Sequence, residues 1–295
     1  MKICITGSAG YVASWLAQAL IKKNHEVTLI DNYRTPSHLI LIENIPIGKI
    51  DIRDITDLSK FDVLFHLAGV SGIKECEDNK DEAFDINVRG TFNLLKTFKG
   101  RIIFASTSAV YGEAKEPEID ESHPTVPRSW YGQNKFDAEN IVKLHSNYCI
   151  LRFSNIFGKG YICKRTVADL FIENALKKES IQIHGDGKQR RDFVHLNDAI
   201  RAYLLAMKSD INGIFNIGGN EALNINEIAE LTAKTYRKLF DGNISIEHIP
   251  IDCGILWKDF IYSSLKAKTI LGYEPMYSIS DEVSERLTTY AKQKR

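Results

Sequence analysis

Short apolar runs rich in β-branched residues alternate with helically spaced segments through the first half of the chain. Residues 2–6, 26–30, 62–66, 101–105 and 148–152 read as strands covered on both faces, because their apolar character is nearly continuous. Between them, 11–23, 81–98 and 135–145 carry helical spacing. Phe84, Val88, Thr91 and Leu95 fall on one stripe, as do Ala138 and Val142. This alternation predicts an α/β fold built on a parallel sheet. Beyond Arg152 the pattern loosens. Helices are expected at 166–178, 197–207 and 226–239, a strand at 214–217 and a loop at 184–192, while 241–273 has no clear period. The expected organisation is a larger domain of residues 1–157 plus 190–219 and a smaller α/β lobe of 158–189 plus 220–295.

Composition narrows the class. Of 295 residues, 44% are hydrophobic and 26% charged, as in an ordinary globular chain. The 38 basic and 38 acidic residues cancel and form no basic block, so a nucleic-acid surface is not expected. No apolar run reaches the length of a membrane span, and the chain opens directly on a strand without a signal-peptide pattern. Five scattered cysteines, never in Cys-x-x-Cys spacing, fit neither a disulfide framework nor a zinc site. They read as reduced thiols of a cytoplasmic enzyme without a metal.

Two constellations carry chemistry. Thr6-Gly7-Ser8-Ala9-Gly10-Tyr11-Val12-Ala13 follows the first strand and opens the first helix. Its glycines permit a tight turn and close approach of backbone to a pyrophosphate, whose charge a helix N-terminus favours. Asp31 ends the second strand, 24 residues after Gly7, where a carboxylate accepts hydrogen bonds from ribose hydroxyls and repels a 2′-phosphate. That favours NAD over NADP, although Arg34 stands nearby. The second constellation is Tyr131-x-x-x-Lys135, one of four such spacings; the others are Tyr111/Lys115, Tyr262/Lys266 and Tyr290/Lys294. Only Tyr131/Lys135 opens a long amphipathic segment soon after a strand ending in the hydroxyls of Ser106, Thr107 and Ser108. One helical turn places phenol and ammonium on one face, where the cation should lower a phenol pKa of about 10 toward neutrality.

Several further motifs fall in order along the chain: Asp51-Ile52, Phe65-His66-Leu67-Ala68-Gly69, Asn87-Val88-x-Gly90-Thr91 and Leu151-Arg152-Phe153-Ser154-Asn155. Gly185-Asp186-Gly187-x-Gln189-x-Arg191-Asp192-Phe193 and Ser264-Leu265-Lys266-Ala267-Lys268-x-x-Leu271-Gly272-Tyr273 follow. Together with the two constellations they resemble the extended short-chain dehydrogenase/reductase family, in its NAD-dependent nucleotide-sugar epimerase/dehydratase branch, over nearly the whole chain. The resemblance implies a Rossmann-type doubly wound sheet with a smaller substrate-binding lobe. It implies NAD contacts at Gly7, Gly10, Tyr11, Val12, Asp31, Asn32, Asp51, Ile52, Leu67, Ala68, Gly69, Asn87, Tyr131 and Lys135. Thr107 takes the position of the family's catalytic Ser/Thr, and Asn155 and Arg191 resemble residues that hold the sugar nucleotide near its diphosphate. His66 and His195 read as structural, and Tyr111 as packing or substrate-lining rather than a base.

In this family Tyr131 as phenolate would take the proton of a sugar hydroxyl while its carbon gives up a hydride. Thr107 would orient the same hydroxyl, and Lys135 would stabilise the phenolate and bond the nicotinamide ribose. Dehydratases of the branch carry Asp-Glu directly after the catalytic Thr, and decarboxylases carry Glu at the second of those positions. Ser108 and Ala109 stand there instead, so the resemblance points to a 4-epimerase working by transient oxidation and return of the hydride to the opposite face, with a UDP-sugar as the expected substrate. A nucleotide-sugar oxidoreductase and a non-catalytic NAD-binding protein are the competing readings. One departure is the stretch 251–259, which lacks the Arg of the family's Arg-Pro-Gly-Asp-like segment and has Lys258 as its only cation, a point charge that does not replace arginine's bidentate fork; Lys164 and Arg165 are candidates to compensate. Relatives pair through helices corresponding to 81–98 and 131–145, so a homodimer is expected.

Overall fold

The five strands expected in the first half all form, each within two residues of its predicted ends. The computed structural model describes residues 1–34, 46–116, 118–158, 166–208, 210–250 and 259–293. Its main sheet contains β1 (Lys2–Thr6), β2 (Glu26–Asp31), β3 (Ile47–Lys49), β4 (Val63–His66), β5 (Arg101–Thr107), β6 (Tyr148–Phe153) and β7 (Gly213–Ile217). They lie in the order β7-β6-β5-β4-β1-β2-β3, every pair parallel. Chain order reverses between β1 and β4, and sheets of this kind bind ligands at such a point, outside the strands' carboxyl ends.

The apolar runs are continuous because both faces are covered. Ile3, Ile5, Ile103, Cys149 and Leu151 point into one core with the helices Tyr11–Ile21 and Leu196–Lys208. Their neighbours Cys4, Ile102, Phe104 and Ile150 point into the other, with Ala138 and Val142 of the helix Trp130–Val142. Each fully buried Ile, Leu, Val or Phe among them contributes about 1.5–3 kcal/mol. The predicted helix at 81–98 is interrupted. Lys80–Phe84 leads into a π-helical turn, Asp85–Arg89, before Gly90–Leu95 resumes the α-form. The extra residue presents Asn87 to the turn after β4.

The smaller lobe packs the helices Val167–Lys177, Ile225–Phe240 and Ile279–Gln293 around Phe171, Ile172, Ile228, Val283 and Leu287. Two of these helices start at capping boxes, Thr166/Asp169 and Asn224/Glu227. The expected loop at 184–192 is shorter than its span: the strands Ile181–His184 and Arg190–His195 close in on it. Arg190–His195 joins Asn155–Phe157 and Ala222–Asn224 in a three-stranded sheet. The two bodies interlace. Ala267, Leu271 and Tyr273 return to the core beneath the main sheet, while Phe157 and Phe193 enter the core of the lobe. Among the described residues no helix is long and apolar enough to cross a membrane.

Candidate active site

At the end of β1 the backbone of Gly7 takes φ +72°, and a Cβ there would lie 2.6 Å from the amide nitrogen of Ala68. Glycine alone lets this turn meet the segment leaving β4. The Gly10 amide donates to the Gly7 carbonyl at 3.0 Å, and the helix Tyr11–Ile21 then begins without a side-chain cap. An uncapped first turn leaves amide donors and the positive end of the helix dipole to an anion. Ser8 Oγ, fully buried in the same turn, has no hydrogen-bond partner. These features fit a dinucleotide pyrophosphate. Val12 packs into the core beneath, and the Tyr11 hydroxyl donates to the Gly158 carbonyl at 2.9 Å, tying the turn to the lobe.

Asp31 accepts from the Ala9 amide at 3.0 Å and the Tyr33 amide at 2.7 Å, which fixes its carboxylate beside the turn. A carboxylate has about four lone-pair directions, so acceptor capacity remains for two ribose hydroxyls. Asn32 donates to Asp51 at 2.8 Å, and the Arg53 guanidinium holds Asp51 down at about 2. Ile52 is buried next to them. Arg34, the cation that could have met a 2′-phosphate, is engaged elsewhere: it pairs with Glu82 at 2.7 Å and with Glu75.

Leu67, Ala68 and Gly69 run on from β4. A Cβ on Gly69 would sit 2.7 Å from Asn87 Oδ1 and 3.7 Å from Lys135 Nζ, so only glycine lets the backbone come this close to those side chains. Asn87 braces the segment: Oδ1 accepts from the Val70 amide at 2.7 Å and Nδ2 donates to its carbonyl at 3.0 Å.

Across this segment stands the helix Trp130–Val142, capped by the Ser129 hydroxyl, which accepts from the Gly132 amide at 3.1 Å. Its first turns bring together the three residues singled out by spacing. The Tyr131 phenol stands beside Thr107, the last residue of β5, whose hydroxyl favours the phenolate. The Thr107 hydroxyl accepts from the Ala109 amide at 3.2 Å. Lys135 Nζ donates to the Ala105 carbonyl at 2.9 Å and lies 4.8 Å over the Phe104 ring.

Here the electrostatic expectation is corrected. Spacing alone predicts a phenol acidified by Lys135, yet Tyr131 is pushed up to about 12, because burial outweighs the favourable Thr107 hydroxyl. The Lys135 ammonium reaches back to the strand carbonyl, and its field falls on His66, which burial and that charge together hold at about 3.

The other candidates settle into structural places. His66 bonds the hydroxyls of Thr6 and Thr91, each at 2.8 Å, in full burial. His195 lies 3.3 Å from Glu282 and stacks on Tyr277. Tyr111, also fully buried, donates to Asn216 Oδ1 at 2.7 Å. Asn155 and Arg191 lie on adjacent strands of the three-stranded sheet. Asn155 Nδ2 donates to the Asp192 carbonyl at 3.0 Å, and Arg191 is partly buried two residues from Phe193, the register partner of Asn155. Lys164, Arg165 and the stretch 251–258, with Lys258, lie outside the described residues. Sequence reasoning missed Glu139 and gave Ser106 and Arg152 no role of their own, yet the three form a buried cluster behind the trio. The available signal was Glu139, which continues the four-residue spacing of Tyr131 and Lys135 onto the buried face of the same helix.

The model of the NAD-dependent epimerase/dehydratase family matches residues 3–218. A Methanocaldococcus jannaschii protein, provisionally named UDP-glucose 4-epimerase, is 35% identical over 98% of both chains. A UDP-N-acetyl-alpha-D-glucosaminuronate decarboxylase of Bacillus cytotoxicus is 33% identical over 84% of this chain and 83% of its own length. Among solved structures, UDP-glucuronic acid 4-epimerase from Bacillus cereus, in complex with UDP-glucuronic acid and NAD, superposes with a TM-score of 0.83. It is 29% identical, and all of both chains is covered.

Proposed function

Because the chain belongs to the NAD-dependent epimerase/dehydratase family, we infer that it is an NAD-dependent nucleotide-sugar 4-epimerase. The observation that carries this reading is the meeting of Tyr131, Thr107 and Lys135 at the carboxyl end of β5, beside the glycine-lined crossing of β1 and β4. Bound NAD would take up and return the hydride. Gly7, Gly10, Tyr11 and Val12 would hold its pyrophosphate, Asp31 and Asn32 its adenosine ribose, and Asp51 and Ile52 its adenine. Leu67, Ala68, Gly69 and Asn87 would border the far half, with Lys135 at the second ribose.

Tyr131 would accept the proton of the sugar 4-hydroxyl and later return it, while Thr107 keeps that hydroxyl in line. Ala109, whose amide supports Thr107, stands where elimination or decarboxylation would need a carboxyl. Asn155 and Arg191 would engage the diphosphate of the substrate, for which UDP is the nucleotide carried by the solved relative. In this division residues 1–157 and 190–219 form the body that holds NAD and lends Asn155 and Arg191 to the substrate, and 158–189 with 220–295 form the lobe that completes the sugar-nucleotide site. The buried free thiols of Cys4 and Cys149 suit a reducing compartment, and the enzyme is assigned to the cytoplasm. It is assigned a homodimeric state through the helical segments at 81–98 and 131–145.

Incubation of the purified protein with UDP-glucose, UDP-N-acetylglucosamine and UDP-glucuronic acid, without added cofactor, tests the reading. Interconversion of 4-epimers by at least one of them is expected. Turnover that strictly consumes NADH or NADPH would replace the epimerase by an oxidoreductase.

A further inference from the structure

Behind the catalytic trio the interface between helix and sheet stops being apolar. The even-numbered residues of β5 face the helix Trp130–Val142, first Ile102 and Phe104 in the core, then Ser106. On the neighbouring strand the register partner of Ser106 is Arg152, on the same face. Glu139 sits above both. Its Oε1 accepts from Ser106 Oγ at 2.5 Å and from Arg152 Nε at 2.9 Å, and its Oε2 accepts from Arg152 Nη2 at 2.6 Å. The side chains of Glu139 and Arg152 are 0% and 2% exposed. The guanidinium lies 4.7 Å over the Tyr111 ring, whose hydroxyl is anchored on Asn216 of β7.

Tyr131, Lys135 and Glu139 therefore follow one another at four-residue intervals and address Thr107, the Ala105 carbonyl and Ser106 of a single strand. Two of these contacts involve the trio. The third does not touch the reacting groups at all. Burying an ion pair is expensive, and well-packed apolar residues of similar volume often serve stability as well. Apolar contact is non-directional and leaves a helix free to shift along the sheet. A buried carboxylate gripping two strands by three bonds permits no such shift. Catalysis needs its groups placed to within about 0.5 Å.

We propose that Glu139, clamped by Arg152 and Ser106, is a positioning residue that fixes the axial register of the catalytic helix on β5, and through it the distances of Tyr131 and Lys135 from Thr107. The proposal rests on the 4-epimerase reading for its kinetic consequences alone. The sequence places the clamp one turn beyond Lys135, where it cannot contact the sugar and acts only through the trio.

The test replaces the whole clamp, Ser106→Ala with Glu139→Leu and Arg152→Met, so that no charge is left stranded. The NAD-loaded triple variant is expected to keep its cofactor and its melting temperature while kcat falls about 100-fold with KM nearly unchanged, the signature of misplaced groups. Wild-type kcat in that folded variant would overturn the proposal. Should the triple variant fail to fold, Glu139→Asp keeps the charge and shortens the arm by one methylene. Loss of kcat by about tenfold with NAD retained supports the clamp, and an unchanged rate overturns it. A crystal structure of the NAD-loaded variant decides independently of any substrate. Displacement of Tyr131 and Lys135 relative to Thr107 by about 1 Å is expected, and an unmoved trio refutes the clamp. If the unaltered enzyme interconverts no sugar nucleotide, the 4-epimerase reading fails, and this structural arm still stands.

Discussion

Tyr131 carries a contradiction that only the loaded enzyme resolves. In the chain itself burial holds its phenol at about 12, too high for a base near neutrality. A cationic nicotinamide beside it would favour the phenolate, since opposite charge lowers an acid's pKa. NAD loading is thus expected to move the Tyr131 titration downward, and kcat/KM should rise with pH until the phenol is ionised, as read from the rate profile. Tyr131→Phe should lose that limb and about 10³ or more in kcat while retaining NAD. Undiminished turnover in that variant would remove Tyr131 as the base. His66 offers a check on stability. Its folded value of about 3 lies below the ordinary histidine value of about 6.5, so the unfolded chain binds the extra proton between the two. The stability it contributes is complete above about pH 6.5 and is lost as pH falls toward about 3. Urea denaturation of His66→Asn should show lower stability near neutral pH, from two broken threonine contacts, but a flatter decline on acidification. An equally steep decline would mean that His66 is not the group responsible.

Elements differ in how openly the sequence declares them. β1, β4, β5 and β6 are buried on both faces, and that demand writes itself as unbroken apolar runs. The turn after β1 is equally legible, because its chemistry requires glycine where a Cβ would strike Ala68. Gly7→Ala should therefore strip NAD from the purified protein and lower its melting temperature, since the new side chain meets both a left-handed backbone and a fixed neighbour. Gly48→Ala in β3, whose nearest neighbour would be 3.5 Å away, should do neither. Absorbance of released cofactor and a thermal melt measure both; equal cofactor loss in the two variants would sink the account of the turn. Other elements were hidden for physical reasons. The π-turn at Asp85–Arg89 inserts one residue into a helix, and a periodicity of 3.6 does not register a single insertion. The strand Arg190–His195 begins with Arg190, Arg191 and Asp192, which do not alternate in polarity. It forms because Asn155–Phe157 and Ala222–Asn224 supply partners distant in the chain.

At the scale of the molecule, the doubly wound sheet was readable from the βα alternation and two interleaved bodies were expected, whereas the return of residues 267–273 to the core of the main sheet was not. Nothing local marks Ala267, Leu271 and Tyr273 as belonging to the core of the main sheet. The proposed dimer raises the same question in reverse, since an exposed apolar residue is ordinary until something covers it. Phe92 is 53% exposed on the helix Gly90–Leu95, and Leu144, just past the end of Trp130–Val142, is 85% exposed. Both belong to the segments through which pairing is proposed. A twofold interface would bring each patch against its own copy, doubling the effect of any change. The chain's net charge is zero, so no long-range repulsion opposes association. Phe92→Glu would then place like charges in that contact on both subunits. Sedimentation equilibrium should give two chain masses for the unaltered protein and one for the variant. The trio and the glycine turn lie within a single chain, so the monomeric variant should retain NAD and turn over within about threefold of the parent rate per subunit, because no neighbour supplies a reacting group. A single chain mass for the unaltered protein would end the dimer proposal. A dimer that survives Phe92→Glu would move its interface off the helix Gly90–Leu95.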